Sequence, residues 1–267
     1  AGCCRRGCRK CGADALGRLG TVRDFSNLPM GIKLHSYDSL DSTNNEALRL
    51  IASGAAREGT VVLAKQQSAG RGRRSSNWES PAGGLYMTLV TKVPNLRVAG
   101  QLAYVASLAV RDAVSVYAAA ISTITCKWPN DLLLNGKKVS GILIETLDDY
   151  YAVGVGINLS LVPNAVADKA ISLADLDLKV EPSEMVTGVI SSFVYWNKVW
   201  REKAFPMVRA AWLDTAHGVN EPINVRFPDG TEEQGRFQGI DEEGALVLER
   251  VDGSNQKINA AEIFFSC

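Results

Sequence analysis

Long apolar runs and histidine are what this sequence has least of. No stretch of roughly 18 uncharged apolar residues occurs, the length that a membrane-spanning helix needs, so we expect no membrane partner. No apolar segment follows the first arginines, so a secretory signal is not expected. The two histidines, His35 and His217, belong to no Ser/His pattern, and a serine nucleophile activated by histidine is therefore not expected either.

Cysteine is concentrated at the N-terminus and sparse elsewhere. The six cysteines are Cys3, Cys4, Cys8, Cys11, Cys126 and Cys267. The first four could close a tetrahedral zinc site, but structural zinc sites usually separate two ligand pairs by about a dozen residues. We favour a disordered or non-native leader over residues 1–29. The remainder of the chain has too few cysteines for a disulfide scaffold. We therefore expect the protein to lie in a reducing cytoplasm.

The formal net charge is zero, but the charges are unevenly distributed. Residues 1–29 carry six bases and two acids, and the rest of the chain balances this positive excess with a negative one. Nucleic-acid-binding domains usually carry a positive surface that attracts phosphates, whereas residues 30–267 have a slight negative excess. We therefore expect no nucleic-acid partner.

Apolar periodicity predicts a body of mixed strands and helices. Strands are predicted at residues 60–64, 85–91, 124–128, 139–145 and 151–159, and helices from about Thr43 and over 99–120, 182–203 and 205–213. Asn135-Gly136 lies between two apolar runs and predicts a hairpin, because both residues accept positive φ. Beyond residue 219, short strands separated by glycine-containing turns predict a small barrel.

The first candidate site is a glycine- and arginine-rich loop over residues 66–84. Loops longer than about 12 residues in a compact domain are usually functional or disordered. Here Gln67 precedes Gly70-Arg71-Gly72-Arg73, in which glycine lets the backbone approach a ligand and arginine offers forked donors to carboxylate or phosphate. An RNA-binding tail is the alternative interpretation, but such a tail belongs in disordered sequence rather than between strands.

Lys127-Trp128-Pro129-Asn130-Asp131 is the second candidate. Proline limits regular strand pairing, so the asparagine and aspartate are expected at an irregular junction with side chains free for a ligand. The alternative, judged from this segment alone, is a turn. The asparagine and aspartate side chains would then form hydrogen bonds only with the backbone.

Two further segments follow the predicted hairpin. An inward-directed lysine of the pair Lys137 and Lys138 could neutralise a carboxylate that becomes an acyl phosphate, although solvated hairpin lysines are common. Gly154 and Gly156 would leave room for a flat ring, with Asn158 beside it. This glycine pattern does not follow the strand–turn–helix order of a dinucleotide-binding fingerprint.

In combination these segments closely resemble the catalytic core of biotin protein ligases. Ser42-Thr43-Asn44, Gln-x-x-Gly-Arg-Gly-Arg, Trp78, Lys-Trp-Pro-Asn-Asp, Lys-x-x-Gly-Ile-Leu-x-Glu and Gly-x-Gly-Ile-Asn occur in this order between residues 34 and 161. The resemblance implies an α+β fold: a mixed, mainly antiparallel sheet flanked by helices, like a class II synthetase core, with a small C-terminal SH3-like β-barrel. It divides the chain into the leader 1–29, a catalytic domain 30–218 and an SH3-like domain 219–267.

The resemblance also assigns roles to individual residues. The implied biotin-binding residues are Ser42, Thr43, Asn44, Gln67, Gly70, Arg71, Gly72, Arg73, Lys138, Gly141 and Gly156. The implied ATP- and adenylate-binding residues are Arg73, Trp78, Asn130, Asp131, Lys138 and Asn158. Lys138, Arg73 and Asp131 are the implied catalytic residues, and Asp131 is also a candidate ligand of Mg²⁺.

The activity implied by the resemblance uses biotin as substrate with ATP and Mg²⁺. Biotin is activated as biotinyl-5′-AMP with release of pyrophosphate, and the biotinyl group then passes to a lysine of a biotin carboxyl carrier domain. We expect a cytoplasmic monomer or homodimer without an N-terminal DNA-binding domain. The alternatives are a lipoate-type ligase, a repressor, and a biotin-binding module without ligase activity.

Overall fold

The computed structural model describes residues 28–163 and 166–265. Nearly all of the predicted leader, its four cysteines and Cys267 lie outside the described residues. In the described part of the chain, no helix is both long and apolar enough to cross a membrane.

Most of the described chain is built on a seven-stranded sheet. Its strands are β1 (Lys33–Tyr37), β2 (Thr60–Ala64), β3 (Leu85–Thr91), β4 (Ile124–Lys127), β5 (Asp131–Leu134), β6 (Lys137–Leu147) and β7 (Tyr150–Ile157). They lie in the order β1-β2-β3-β7-β6-β5-β4. Only β1 and β2 are parallel, because helix α1 (Thr43–Ala52) carries the chain back between them. The predicted mixed, mainly antiparallel sheet is confirmed.

Helices cover both faces of this sheet, which explains why residues on both faces of strands β2 and β3 are buried. Every residue of β2 and β3 is buried. Val61 and Leu63 share a core with residues of helices α2 (Leu102–Ala118) and α3 (Pro182–Lys203). Val62 instead packs with residues of α1 on the opposite face. This alternation follows from the two-residue period of a strand.

The two irregular connections predicted near the site are present. Asn135 and Gly136 both have positive φ and join β5 to β6 as a two-residue hairpin. Residues 128–130 interrupt the strand pattern between β4 and β5, as Pro129 predicts. The sequence patterns did not predict β1, an edge strand whose polar residues conceal its periodicity.

After helix α4 (Phe205–Leu213), the chain forms a second, antiparallel sheet. Its strands are β8 (Pro222–Arg226), β9 (Glu232–Ile240), β10 (Leu246–Glu249), β11 (Asn255–Ile258) and β12 (Glu262–Phe265). Their order is β11-β10-β9-β8-β12, so the two edge strands of the described sheet do not pair with each other. This open five-stranded sheet is consistent with the predicted SH3-like class, although no closed barrel is formed and β12 was not predicted.

The start of α2 connects the two sheets through a buried tyrosine. Tyr104 is 3% exposed, and its hydroxyl accepts a hydrogen bond from Trp128 Nε1 at 3.0 Å and donates one to Gly244 O. Its ring packs edge-on against Trp212, with 5.1 Å between ring centroids. One hydroxyl thus links the junction before β5 to a turn of the second sheet.

We expect Tyr104→Phe to lower the free energy of unfolding by about 2–4 kcal/mol, because the buried Trp128 Nε1 and the half-buried Gly244 O both lose their partner, at about 1–3 kcal/mol for a buried group. Denaturant titration measures this change. Tyr195→Phe is the matched control, since this tyrosine is 58% exposed, and it should stay within about 0.5 kcal/mol of the parent protein. Equal stability of both variants would show that the buried hydroxyl contributes nothing.

Candidate functional site

A cavity of about 460 Å³ lies over the sheet at the start of α1. This volume is within the usual range for small-molecule sites. Of the residues predicted for the site, those lining the cavity are Ser42, Thr43, Asn44, Gln67, Arg71, Gly72, Arg73, Trp78, Asn130, Asp131, Lys138, Gly141, Gly156 and Asn158. Neither His35 nor His217 is among the lining residues.

Gly70 is the one predicted residue that does not line the cavity. A Cβ at this position would overlap Trp78 O and would lie 2.6 Å from Ser80 Oγ. The same glycine accepts a backbone hydrogen bond from Trp78 N at 3.0 Å, and Gly72 N donates to Ser76 O at 2.8 Å. Residues 70–78 therefore fold into a small hairpin, here called the flap, and Gly70 permits its closure.

One end of the cavity, here called the ring end, is lined by Ser42, Thr43, Asn44 and Gln67. Thr43 N and Oγ1 donate to Gln67 Oε1 at 2.8 and 3.2 Å. Thr88 Oγ1 lies 2.8 Å from Thr43 Oγ1 and 2.6 Å from Asn44 Oδ1. These buried side chains mainly satisfy one another, so their shape is fixed before a ligand arrives.

Ser42 has the conformation expected at a helix N-terminus but does not cap the helix with its side chain. Its φ and ψ are extended, and its hydroxyl makes no capping hydrogen bond. The residue is only 3% exposed and lines the cavity. The hydroxyl is therefore free of the capping role that the residue type favours, and a ligand can use it.

An ion pair joins the flap to the sheet beside the ring end. Arg71 Nη2 lies 2.8 Å from both carboxylate oxygens of Glu145, which is on β6. Asn44 Nδ2 donates to the same carboxylate at 2.8 Å and to Leu143 O at 3.2 Å. Sequence reasoning included this glutamate in a motif but assigned no role to it.

At the other end of the cavity, here called the reacting end, Lys138 faces Asp131. Lys138 Nζ lies 2.6 Å from Asp131 Oδ1, an ion-pair distance whose angles are not those of a directed hydrogen bond. The amine also lies 5.4 Å from the ring centroid of Trp78. Lys137 is exposed and its Nζ lies 3.5 Å from Ala167 O. The hairpin thus directs one lysine inward and its neighbour outward.

Trp78 occupies the space above two site glycines. A Cβ at Gly156 would lie 2.5 Å from Trp78 Nε1, and one at Gly141 would lie 3.1 Å from its Cζ3. Of the two glycines predicted to leave room for a flat ring, Gly156 has the indole of the flap above it, whereas the side chain of Asn44 fills the space above Gly154. Asn158 is 8% exposed beside this ring and donates from Nδ2 to Ile171 O at 3.3 Å.

Cations converge on the reacting end. Arg73, Lys127, Lys138 and Lys169 all line the cavity. Burial lowers the pKa of Arg73 and that of Lys127, while the nearby carboxylate of Asp131 opposes both changes. A guanidinium stays charged despite such a change. Sequence reasoning assigned no role to Lys127, although it lies in the singled-out motif, and it missed Lys169.

The second sheet closes one side of the cavity. Glu262, Ile263 and Phe264 of β12 are lining residues. Arg73 Nη1 donates to Ala261 O at 3.4 Å, and Arg74 Nη1 lies 3.6 Å from Glu262 Oε1. No sequence motif indicated this contribution, because it depends on how the flap meets a strand almost 190 residues later.

Comparisons with known proteins match two separate parts of the chain. The model of the biotin/lipoate A/B protein ligase family matches residues 36–161, and that of the biotin protein ligase C terminal domain matches residues 218–266. Over 240 residues, 84% of this chain and 97% of the relative, the chain is 40% identical to a biotin–[acetyl-CoA-carboxylase] ligase of Paracoccus denitrificans.

Two further similarities extend over most of the chain. The bifunctional ligase/repressor BirA of Bacillus subtilis is 35% identical over 247 residues, which cover 88% of this chain and 74% of the relative. Among solved structures, the biotin protein ligase from Aquifex aeolicus in complex with biotin and ATP matches with a TM-score of 0.78 at 26% identity, covering 88% of this chain and 99% of that chain.

Proposed function

Because the chain belongs to the biotin protein ligase family, we propose that it is an ATP-dependent ligase that attaches biotin to protein. It activates biotin as biotinyl-5′-AMP, releases pyrophosphate, and transfers the biotinyl group to the ε-amine of a lysine on a biotin carboxyl carrier domain. The observation that carries this proposal is the single cavity shared by the polar ring end, the flap arginines and the amine of Lys138.

The proposed domains are a catalytic part over residues 30–218 and an SH3-like part over 219–267. The catalytic part contains the seven-stranded sheet, and the C-terminal part adds one wall of the cavity. We propose a cytoplasmic enzyme, monomeric or homodimeric, whose macromolecular partner is the carrier domain rather than nucleic acid.

At the ring end, the proposed ligand is the fused ring system of biotin. Its ureido group carries two N–H donors and one carbonyl acceptor. Asn44 Oδ1 accepts from Thr88 and retains a second lone pair, while the hydroxyl of Ser42 can donate or accept. Together with Thr43 and Gln67, these groups form a preformed polar wall that distinguishes a ureido ring from an apolar one.

Adenylation is proposed at the reacting end. A carboxylate oxygen of biotin attacks the α-phosphorus of ATP, the bond from phosphorus to the bridging oxygen breaks, and pyrophosphate leaves with the electron pair. The cations of Lys138 and Arg73 offset the negative charge that develops on the transferring phosphate. Gly141 and Gly156 leave room for the indole of Trp78, and Trp78, Asn130 and Asn158 are the proposed neighbours of the nucleotide.

Transfer to the carrier follows in the same cavity. The ε-ammonium of the carrier lysine loses a proton to solvent, and its ε-nitrogen attacks the acyl carbon of the mixed anhydride. The bond from that carbon to the phosphate oxygen breaks, and AMP leaves with the electron pair. Asp131 is the carboxylate placed to orient this amine, since it already lies against the amine of Lys138. The flap shields the anhydride from water in the interval between the two steps.

The residues present fit Mg²⁺ only together with the nucleotide. Among the described residues, no three His, Cys, Asp or Glu side chains form a metal-binding group. One carboxylate combined with phosphate oxygens is nevertheless a ligand set that Mg²⁺ accepts. Asp131 is the proposed protein ligand, and the ion supplies charge neutralisation of the leaving pyrophosphate.

The decisive experiment supplies biotin, ATP labelled at the α-phosphate and an isolated carrier domain. Label should appear first in biotinyl-AMP and then in AMP, while biotin becomes attached to the carrier. Replacing biotin by lipoate tests whether the enzyme activates that related acid. Efficient release of pyrophosphate from ATP with lipoate but not with biotin would favour a lipoate ligase. Biotin binding without any release of pyrophosphate would indicate a binding module.

A repressor activity remains the second candidate, because the Bacillus subtilis relative is a bifunctional ligase/repressor. A gel-shift experiment with candidate operator DNA separates the two functions. Tight binding that depends on biotin would establish a repressor, whereas ligation without such binding would leave the ligase as the sole activity of this chain.

Gly154→Ala should raise the KM for biotin at least about tenfold, because displaced buried side chains lose hydrogen bonds worth about 1 kcal/mol or more. The added Cβ would overlap Asn44 Oδ1 and lie 2.9 Å from its Cγ. Pyrophosphate exchange at varied biotin concentration measures the effect. Gly100→Ala is the control, since nothing lies within 4 Å of its added Cβ. Equal KM values would show that Asn44 does not shape the ring end.

A further inference from the structure

We propose that Glu145 is a positioning residue that orients the amide of Asn44 and tethers the flap through Arg71, so that one carboxylate couples the ring end to the cover of the cavity. This inference rests on the proposed function and deepens it. It gives Arg71 a different role from direct contact with the reacting acid, which the sequence motif implied.

The amide of Asn44 is oriented by its hydrogen-bond partners. A carboxylate only accepts hydrogen bonds, so Glu145 Oε2 at 2.8 Å requires the NH₂ group of Asn44 on its side. The second N–H of that group is directed to Leu143 O, and Oδ1 is left facing the hydroxyl of Thr88. Glu145, together with Leu143 O, therefore favours the amide orientation in which the ring end presents an acceptor, rather than a donor, at this position.

The ion pair between Arg71 and Glu145 restrains the flap. Its Nη2 contacts both oxygens of Glu145 at 2.8 Å, and no other side-chain hydrogen bond of this arginine occurs among the described residues. Gly70 and Gly72 flank it and give the flap backbone freedom. An ion pair to a strand residue 74 positions away restricts that freedom, and such preorganisation favours ligand binding by reducing the entropy lost on closure.

The contact between Arg71 and Glu145 is separate from the residues of the reacting end. At the reacting end, Lys138 contacts a different acid, Asp131. Elsewhere in the flap, Arg74 contacts Glu262 and not Glu145. Glu145 is not among the residues that line the cavity. Its influence must therefore pass through Asn44 and Arg71, which predicts an effect on binding and retention and little effect on the chemical step.

The test is Glu145→Gln, which keeps the side-chain shape and removes the charge. The KM for biotin in pyrophosphate exchange should rise about tenfold, the cost of one charge-assisted hydrogen bond, with kcat within about threefold. Arg71→Met should raise the KM by the same factor or a smaller one, because Glu145 can still bond Asn44. The double variant should be no worse than Glu145→Gln alone, because both substitutions break the contact between Arg71 and Glu145.

Two controls make the result specific. Glu202→Gln makes the same change in net charge as Glu145→Gln, but at an exposed position of α3 that does not line the cavity. It should change neither KM nor kcat. Hydrogen exchange without ligand at the amides of Gly72 and Trp78, both bonded within the flap, should accelerate in Glu145→Gln and in Arg71→Met but not in the control variant.

Several results would overturn the proposal: unchanged KM and exchange in Glu145→Gln, additive effects of the two substitutions, or a fall in kcat at constant KM. These outcomes are distinct from failure of the proposed function. If the parent protein releases no pyrophosphate with biotin, the ligase assignment fails, and the exchange of the flap amides without ligand still decides whether Glu145 is a tether.

Discussion

Lys138→Ala should reduce biotin-dependent adenylation by about two to three orders of magnitude, the usual consequence of removing one preorganised group that stabilises transition-state charge. The amine lies inside the cavity, held by Asp131 at 2.6 Å and facing the ring of Trp78. Its position is fixed before the substrate binds, so its charge acts on the transferring phosphate without reorganisation. The measurement is pyrophosphate exchange at saturating biotin and ATP.

Lys137→Ala is the matched control, because it removes the same side chain one residue earlier. Its amine lies outside the cavity at an exposed position near Ala167 O, so adenylation should stay within about twofold, as for most surface substitutions. Lys138 is itself about one-third exposed, and circular dichroism should show both variants folded. A comparable loss of activity in the two variants would refute the inward assignment of Lys138.

Much of the sheet and the hairpin could be predicted from local sequence patterns. The buried strand β2 could be predicted from its short apolar run, and Asn135-Gly136 specifies a turn by its backbone requirements alone. The site residues followed from the order of short motifs and their family resemblance. These motifs lie on strand ends and loops that the sheet brings to one cavity.

What could not be predicted depends on contacts between distant segments. The apolar content of β1 is low, and it is recognisable only from its pairing with β2. Whether Arg71 meets a substrate or Glu145 is decided by the register of β6, which no pattern in the flap encodes. The closure of the cavity by Glu262 likewise requires the second sheet to be in place.

The remaining large effect concerns retention of the intermediate. Arg73→Gly should accelerate the release of biotinyl-AMP by about 100-fold, as expected for the loss of one charged donor from a desolvated site. This half-buried guanidinium lines the cavity and donates to Ala261 O, and burial lowers its pKa. Glycine removes the cation and also frees the flap backbone. Release of labelled adenylate from the washed complex measures the rate.

Arg73→Gly both removes a cation and frees the flap backbone, and Arg74→Gly distinguishes these two consequences. Arg74 does not line the cavity, and its φ of 51° already suits glycine. Its side chain contacts Glu262 at 3.6 Å, an exposed pair of the kind that contributes about 1 kcal/mol or less. If charge inside the cavity retains the adenylate, only Arg73→Gly releases it quickly. Equal acceleration in both variants would mean that retention depends on the stiffness of the flap and its contact with β12, and not on a cation facing the phosphate.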